Sequence, residues 1–427
     1  MNMIRTIIHA WTIPDIRKKI VFTLLMLLVF RLGSNIPVPG IDRTVLNQLF
    51  DSSQAGVFGL MNMFSGGAFG NFTIFALSIT PYVTASIIFQ LLAIAIPSIE
   101  ALSKEGTEGK KKIAQYTRYL TVVLAFVQAI GLSVGLFRGA LISTDLFSIT
   151  VIVLTLSAGT AFLMWLGEQI NENGIGNGIS LIIFAGIISS LPGGIAQTWV
   201  KFQAGEVSVI SLILFAAFAM LVIVGIIMVN QGSRKIPVQY AKRVVGRKMY
   251  GGQSTHIPMK VNQAGVISII FAISLLQFPI TITYFFPNSG VSDFISKYFA
   301  PYGDPGFWIY GLFNIILVMF FTYFYTAVTF NPMEVANNMK ANGGFIPGIR
   351  PGRPTIDYLT KVMTRITFVG AVFLAFISTL PHILQQFTSL QIGFGGTSLL
   401  IAVGVALDTM KQLEAQMTMR NYQGFLK

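Results

Sequence analysis

Few residues of this chain are of the types that perform chemistry, and none is spaced for it. The 427 residues include no cysteine, which excludes disulfides and thiolate metal sites. The three histidines, His9, His256 and His382, are far apart and form no ligand-spaced motif. Walker A, HExxH and GxSxG patterns are also missing from the sequence. The sequence therefore predicts a protein that is not an enzyme and that needs no metal or cofactor.

Two classes of membrane protein, intramembrane enzymes and ion-coupled transporters, would need polar groups at membrane depth. An intramembrane acyltransferase or protease would need a Ser, His or Asp group there, and His382, beside Pro381, is predicted at the external end of a spanning helix. An ion-coupled transporter normally keeps a titratable group near the midplane. Arg31, Glu168 and Asp408 instead fall near the ends of apolar runs, where long side chains reach the headgroups. Both classes are disfavoured.

The composition is that of an integral membrane protein. Hydrophobic residues make up 53% of the chain and charged residues 11%, with a mean hydropathy of +0.70, whereas soluble domains carry about 25% charged residues. Apolar runs of spanning length predict an all-α protein with ten transmembrane helices. They lie near residues 20–36, 72–96, 114–137, 148–167, 178–196, 208–230, 263–286, 307–330, 361–381 and 397–414.

Lysine and arginine are unevenly divided between the two sides of the predicted membrane. One side holds an N-terminal surface helix, two long loops and the tail, at residues 1–19, 231–262, 331–360 and 415–427. The first long loop alone has seven basic residues and no carboxylate. The other side offers only Arg43, Arg138, Lys201 and Lys297. The positive-inside rule therefore places both termini in the cytoplasm, although the same cations could also contact anionic lipid or a large acidic partner.

The ten predicted spans divide into two halves of five, residues 20–196 and 208–414, at an external hinge over 197–207. An odd number of spans per half gives the halves opposite orientations, which is the inverted-repeat architecture with a path between them. Polar residues inside the spans, such as Gln90 and Gln277, fit either helix-packing contacts or a polar path that opens.

Eight motifs make a resemblance specific. In chain order they are NMFSGGAF, ITPYVTASIIFQLL, EGKKKIAQYTRY, FLMWLGEQINENGIGNGISLIIFAGI, YAKRVVGRKMYGGQSTHIPMKVN, FNPMEVANNMK, FIPGIRPG and FGGTSLLI. From Ile13 to Met417 the chain resembles the SecY family, whose members form the central subunit of the bacterial protein-conducting channel. The resemblance implies a passive pore in the bacterial cell membrane that passes signal-bearing polypeptides and releases apolar segments into lipid. The alternative is a secondary transporter of a small solute.

The resemblance also explains a short apolar segment before the second span. In the family this segment is a re-entrant half-helix called the plug, which corresponds here to residues 57–70. The residues implied are Met61, Met63, Phe64, Gly66 and Gly67. Met and Phe can close an apolar constriction, and the glycines allow a bend with little side-chain bulk. An external loop packed on the lipid interface is the alternative.

Two further sets of residues follow from the resemblance. The family's ring of aliphatic pore residues corresponds to Ile79, Val83, Ile183, Ile187, Ile270 and Ile401, each of which could equally be an ordinary core or lipid-facing residue. Spans two and three would face spans seven and eight across a lateral gate, with Thr84, Gln90, Gln128 and Phe278 as its candidate residues.

The resemblance also implies partner proteins. The resemblance implies that the cytoplasmic loops bind either the motor ATPase SecA or the translating ribosome. The candidate contact residues are Arg243, Arg247, Lys248, Arg350 and Arg353. The small subunit SecE would brace the two halves, SecG would attach peripherally, and the translocating polypeptide with its signal sequence would be the substrate.

Overall fold

A computed structural model gives the architecture of the chain. It describes residues 10–42, 44–46, 62, 65–205, 208–240, 243–245, 248–250, 254–283, 285–286, 289–299, 305–387 and 396–424. The helices are α1 Pro14–Gly33, α2 Thr80–Ala95, α3 Pro97–Lys104, α4 Thr107–Ile130, α5 Leu146–Asn173, α6 Gly178–Gln203, α7 Val209–Gln231, α8 Ile267–Thr283, α9 Gly290–Tyr298, α10 Gly306–Thr329, α11 Pro332–Ala341, α12 Arg353–Phe387 and α13 Gly396–Gly424. A π-helical turn, Gly131–Leu136, extends α4, and a 3-10 turn, Arg138–Ala140, follows it.

Each predicted span overlaps one of these helices, which confirms the multi-span, all-helical class. Among the described residues, six helices are long and apolar enough to cross a membrane, and the pair α2 and α3 makes a seventh if it counts as one span. That pair bends by 102° at Pro97, where a ring without an N–H begins a new helix. The apolar helix α8 is shorter, with 17 residues. The full number of crossings stays a prediction.

The second predicted span differs most from its expected form. The sequence predicts a helix from residue 72, but residues 65–79 form consecutive turns and the helix begins at Thr80. Phe72 and Ser78 have positive φ values of 43° and 54°, which an α-helix does not accommodate. Pro81 suits the first turn of the helix that follows, because the N–H it lacks would have no partner there.

This turn segment, residues 65–79, packs against three neighbours. Its Phe75 ring stacks between Phe30 of α1 and Phe162 of α5, with ring centroids 6.1 and 6.0 Å away. Phe72 meets Phe137 edge-on at 4.7 Å. All but Phe162 are almost fully buried, so aromatic packing holds the segment where a regular helix does not.

Other helices are longer than predicted. Helix α6 continues to Gln203, so the external connection is shorter than the predicted hinge over 197–207. Helix α12 begins at Arg353, inside the predicted loop over 331–360, and α13 continues to Gly424 through most of the predicted tail. The first turns of α12 and the last turns of α13 are polar, so hydropathy alone marked only their apolar parts.

The two long basic loops come together in one small sheet. Strands β1 (Ser233–Tyr240) and β4 (Ser254–Lys260), both from the first loop, pair antiparallel. Strand β5 (Gly344–Phe345), from the second loop, pairs with the other edge of β1. Strands β2 (Arg243–Val245) and β3 (Lys248–Tyr250) form a separate hairpin between β1 and β4. Beneath the sheet lies its own core, which includes Ile236, Val238, Met259, Met339, Ile346 and Leu359.

Close contact between α5 and the turn segment generates the first prediction. A Cβ at Gly159 would overlap the backbone carbonyl of Ile74, which cannot move aside as a flexible side chain could. We expect Gly159→Ala to cost about 1–3 kcal/mol of stability, as overpacking usually does, and to lower the melting temperature of the detergent-purified protein by several degrees. Gly193→Ala, where the added methyl group meets open space, is the matched control. Equal melting of the two variants would contradict the packing.

Candidate channel constriction

A small cavity lies where four helices meet. The chain that lines it comes from the turn segment, the start of α2, and helices α6, α8 and α13. The lining residues are Ala76, Leu77, Ser78, Ile79, Thr80, Val83, Ile183, Ile270, Ile273, Ser274, Gln277 and Ile401. Its volume is about 40 Å³. A volume of this size admits water molecules but has no room for a polypeptide.

Five of the six predicted ring residues line this one cavity, although they come from distant parts of the sequence. They are Ile79, Val83, Ile183, Ile270 and Ile401. The sixth, Ile187, lies one turn beyond Ile183 on α6 and is fully buried in the surrounding apolar cluster instead. The structure therefore brings the predicted set together and assigns Ile187 to the core behind it.

Eight of the twelve lining residues are aliphatic, and none is charged. Four residues of the lining have side-chain hydroxyl or amide groups: Ser78, Thr80, Ser274 and Gln277. An apolar constriction can exclude ions by dewetting, and its aliphatic contacts are not directional bonds that have to break when it widens. The arrangement can therefore act as a closed gate.

The sequence reasoning missed the contribution of one helix face. Ile273, Ser274 and Gln277 lie on α8 at spacings of three, four and seven from Ile270, so they share its face. That periodicity was readable in the sequence. The turn-segment residues Ala76, Leu77 and Ser78 were not predictable as lining, because the pattern there favours a continuous helix.

Three of the four helices predicted to form the lateral gate, α2, α4 and α8, share buried clusters. Ile87 of α2 belongs to the same buried cluster as Ile269 and Ala272 of α8. Near the end of α8, Ile280 packs in a second cluster with Ala129 of α4. A Cβ at Gly131 would come within 2.7 Å of the Phe285 ring, so the chain after α8 also lies against the end of α4. We call this contact of α8 with α2 and α4 the seam.

The four predicted gate residues occupy different environments. Thr84 Oγ1 donates to the Thr80 carbonyl at 3.0 Å, and Gln90 Nε2 donates to Ser86 Oγ at 3.2 Å, so both bonds stay within α2. Gln128 is buried on α4, whereas Phe278 on α8 is 46% exposed. Buried Gln277, the neighbour of Phe278 in sequence, is the α8 residue that points inward.

Only the end of the predicted plug falls within the described residues. Met61, Met63 and Phe64 lie outside them. Gly66 and Gly67 have φ values of +67° and +88°, which favour glycine. Asn62 fixes this turn, because its carbonyl accepts from the Gly67 N–H at 2.8 Å and its Oδ1 accepts from the Gly70 N–H at 2.7 Å.

The predicted contact residues for large partners lie around the small sheet. Arg350 and Arg353 are exposed, and Arg350 sits between Gly348 and Gly352, whose φ values are +82° and +107°. Its carbonyl accepts from Thr355 Oγ1 at 2.9 Å, which fixes the loop to the start of α12. Arg243 and Lys248 are on the β2–β3 hairpin, and Arg247 lies outside the described residues.

The residues that line the described cavity include no histidine, aspartate or glutamate. Within the ranges that the structure describes, no three His, Cys, Asp or Glu residues lie close enough to hold a metal ion. His256 is on strand β4 and is not among the cavity-lining residues, and His9 lies outside the described residues. The geometry thus defines a class: a multi-span helical membrane protein with a small, mainly apolar constriction between its helices.

Comparison with known proteins gives the family. The family model of SecY matches residues 73–410. Curated relatives described as protein translocase subunit SecY are 50% identical in Halalkalibacterium halodurans and 49% identical in Bacillus subtilis, covering 100% of both chains in each case. The relative from Thermus thermophilus is 45% identical over 99% of this chain and 98% of its own. The chain therefore belongs to the SecY family.

Solved structures agree on the fold. A structure of a protein conducting channel matches 94% of this chain and 92% of its own, with a TM-score of 0.69 at 20% identity. Sec61 in the canine ribosome–channel complex matches with a TM-score of 0.65 at 19% identity, covering 94% and 92% of the two chains. Family and fold together identify a subunit of a protein translocation channel, and they do not support the small-solute transporter.

The aliphatic lining generates a second prediction. We expect Val83→Asn to raise the resting ion conductance of channels in planar bilayers severalfold, because an amide in the lining favours water in the constriction. Val224→Asn, at a residue of α7 that is 53% exposed, is the matched control and should leave conductance unchanged. An unchanged current through the Val83 variant would mean that this cavity does not limit ion flow.

Proposed function

We propose that this chain is a passive channel whose closed state is the apolar cavity between α2, α6, α8 and α13. The observation that carries the proposal is that five predicted ring residues line this cavity. A polypeptide passing through would replace the aliphatic contacts of the ring with its own. Because such contacts have no direction, the same ring fits side chains of many shapes.

The seam is the proposed lateral exit. Its described contacts join α8 to α2 and α4 through apolar side chains such as Ile87, Ile269 and Ile280. A signal sequence that intercalates there gains about 0.8 kcal/mol for each methylene moved from water to lipid. The side-chain bonds of Thr84 and Gln90 stay within α2, so they do not have to break when the helices of the seam separate.

The plug and the inverted halves complete the proposal. Residues 57–70 act as the plug, supported here by the glycine-dependent turn that ends the segment. Two halves of five spans, residues 20–196 and 208–414, surround the pore in opposite orientations. The single observation in favour of this division is that the cavity is lined by α2 and α6 from one half and by α8 and α13 from the other.

Position in the cell and partners are inferred together. The chain lies in the bacterial cell membrane with both termini in the cytoplasm, as its basic loops indicate. The sheet that joins these loops, with exposed Arg350 and Arg353 beside it, is the surface for SecA or the ribosome. One structural neighbour is an idle Ssh1 complex bound to the yeast ribosome, which has this fold at 15% identity. SecE, SecG and anionic lipids are the further partners proposed.

Photo-crosslinking to an arrested secretory chain tests the path. Probes at Ile183 and Ile401, which line the cavity, should crosslink to the arrested polypeptide, because it must pass between them. A probe at Ile213, a residue of α7 that is 61% exposed, should not. If the ring positions remained unlinked while the arrested chain still bound, the polypeptide would have to take another route.

Charge reversal tests the partner surface. Arg350→Glu should reduce motor-driven export severalfold and leave the amount of membrane-inserted protein unchanged, because the side chain is exposed on a loop held by two glycines. Lys361→Glu, at an exposed basic residue of α12, is the control for net charge. Equal export by the two variants would remove Arg350 from the surface.

A further inference from the structure

Arg31 lies in the last turn of α1, at the end that the topology places outside the cytoplasm. A basic residue on that side opposes the positive-inside rule. Part of its stabilisation comes from the carbonyl groups at the end of a helix, which favour a cation. Its hydrogen bonds, however, extend beyond α1.

The guanidinium of Arg31 reaches the turn that ends the predicted plug. Nη1 donates to the Gly66 carbonyl at 2.8 Å and to Ser34 Oγ at 3.4 Å. The buried Ser34 hydroxyl in turn donates to the Arg31 carbonyl at 2.8 Å, which holds the two residues together. No salt bridge to Arg31 is found in the described part of the chain, so its charge is directed at backbone and hydroxyl oxygens.

Gly66 is enclosed from the opposite side by α6. A Cβ at Gly66 would come within 2.8 Å of Ser189 Oγ and 2.9 Å of Gly186 Cα, so only glycine fits. Ser189 Oγ is 3.4 Å from the Gly66 carbonyl but only 2.8 Å from the Gly186 carbonyl. Since one hydroxyl has one proton, the shorter bond takes it. Arg31 is therefore the principal donor to the Gly66 carbonyl.

This contact is connected to the constriction in two ways. Along the chain, Gly66 precedes the turn segment that ends at Ile79 in the cavity lining. Across the fold, Gly66 rests on α6 at Gly186, which is one turn from the lining residue Ile183. A change at Gly66 thus reaches the cavity through both α6 and the turn segment.

We propose that Arg31 is a positioning residue that holds the turn at Gly66, the described end of the proposed plug, through the Gly66 carbonyl. The proposal rests on the assignment of residues 57–70 as the plug. A charge-assisted hydrogen bond is about twice as strong as a neutral one, and Ser34 fixes the donor before the bond forms. Opening the channel then requires this bond to break, and closing re-forms it.

A cycle of variants tests the proposal in full-length protein purified with its bound partners and placed in liposomes. Chloride leak is measured for Arg31→Met, for deletion of residues 60–68, and for the two changes combined. We expect Arg31→Met to raise leak by roughly tenfold, as the loss of a charge-assisted bond would, and to add nothing once the segment is deleted. Arg138→Met, which removes another exposed external arginine, is the control.

A second readout follows the plug itself. Because the chain has no cysteine, a single Ala68→Cys at a fully buried position reports exposure to an external, membrane-impermeant maleimide. Arg31→Met should speed this labelling severalfold. If that variant does not accumulate, Arg31→Gln, which removes the charge, is measured in the same way.

The outcomes distinguish the role of Arg31 from the assignment of residues 57–70 as the plug. If leak and labelling stay at the parental level in the Arg31 variants while the deletion causes a leak, the role of Arg31 is overturned. The assignment of the plug then stands. An Arg31 effect that persists in the deletion background shows that Arg31 acts elsewhere and also overturns the inference. A deletion that causes no leak overturns the plug assignment, and the role of Arg31 with it.

Discussion

Backbone groups between the first two long helices must find hydrogen-bond partners without a regular helix, and the rest of the structure depends on this constraint. Turns within residues 65–79 satisfy some of them, and the Val38 and Ile74 N–H groups bond the Phe72 and Ile36 carbonyls at 3.0 Å each. The turn segment can pack this closely against α1 because Gly33 has no side chain. A Cβ at Gly33 would overlap the Phe75 ring. The position of Ile79, and hence of the constriction, follows from this packing.

The constriction differs from a binding site in the kind of side chains that line it. A site that recognises one solute holds fixed polar groups at fixed distances, whereas this lining presents mainly branched aliphatic side chains. Such side chains exclude water when they touch one another. They also accept any chain that separates them, since dispersion contacts are not directional. Closure and tolerance of many substrates are therefore compatible in one set of residues.

Apolar runs of spanning length predicted the long helices well. Five of the six predicted ring residues line one cavity. The failures have local causes. Hydropathy predicts a helix over 72–79, but Pro81 and the positive φ values of Phe72 and Ser78 start it later. The hydrogen bond from Arg31 to Gly66 joins residues 35 apart in sequence, and the pairing of β1 with β5 joins two loops separated by α8 and α10. Neither has a periodic signal, because each depends on how distant segments pack.

The small sheet has a mechanical consequence. Six residues separate the end of strand β4 at Lys260 from the start of α8 at Ile267, and β5 follows α10 with only α11 and short turns between them. The sheet is therefore joined to α7 and α8 by short segments and to α10 through α11. A partner that displaces the sheet would act first on these helices, of which α8 forms one side of the seam. Helices α2 and α4, on the other side of the seam, contribute no strand to the sheet.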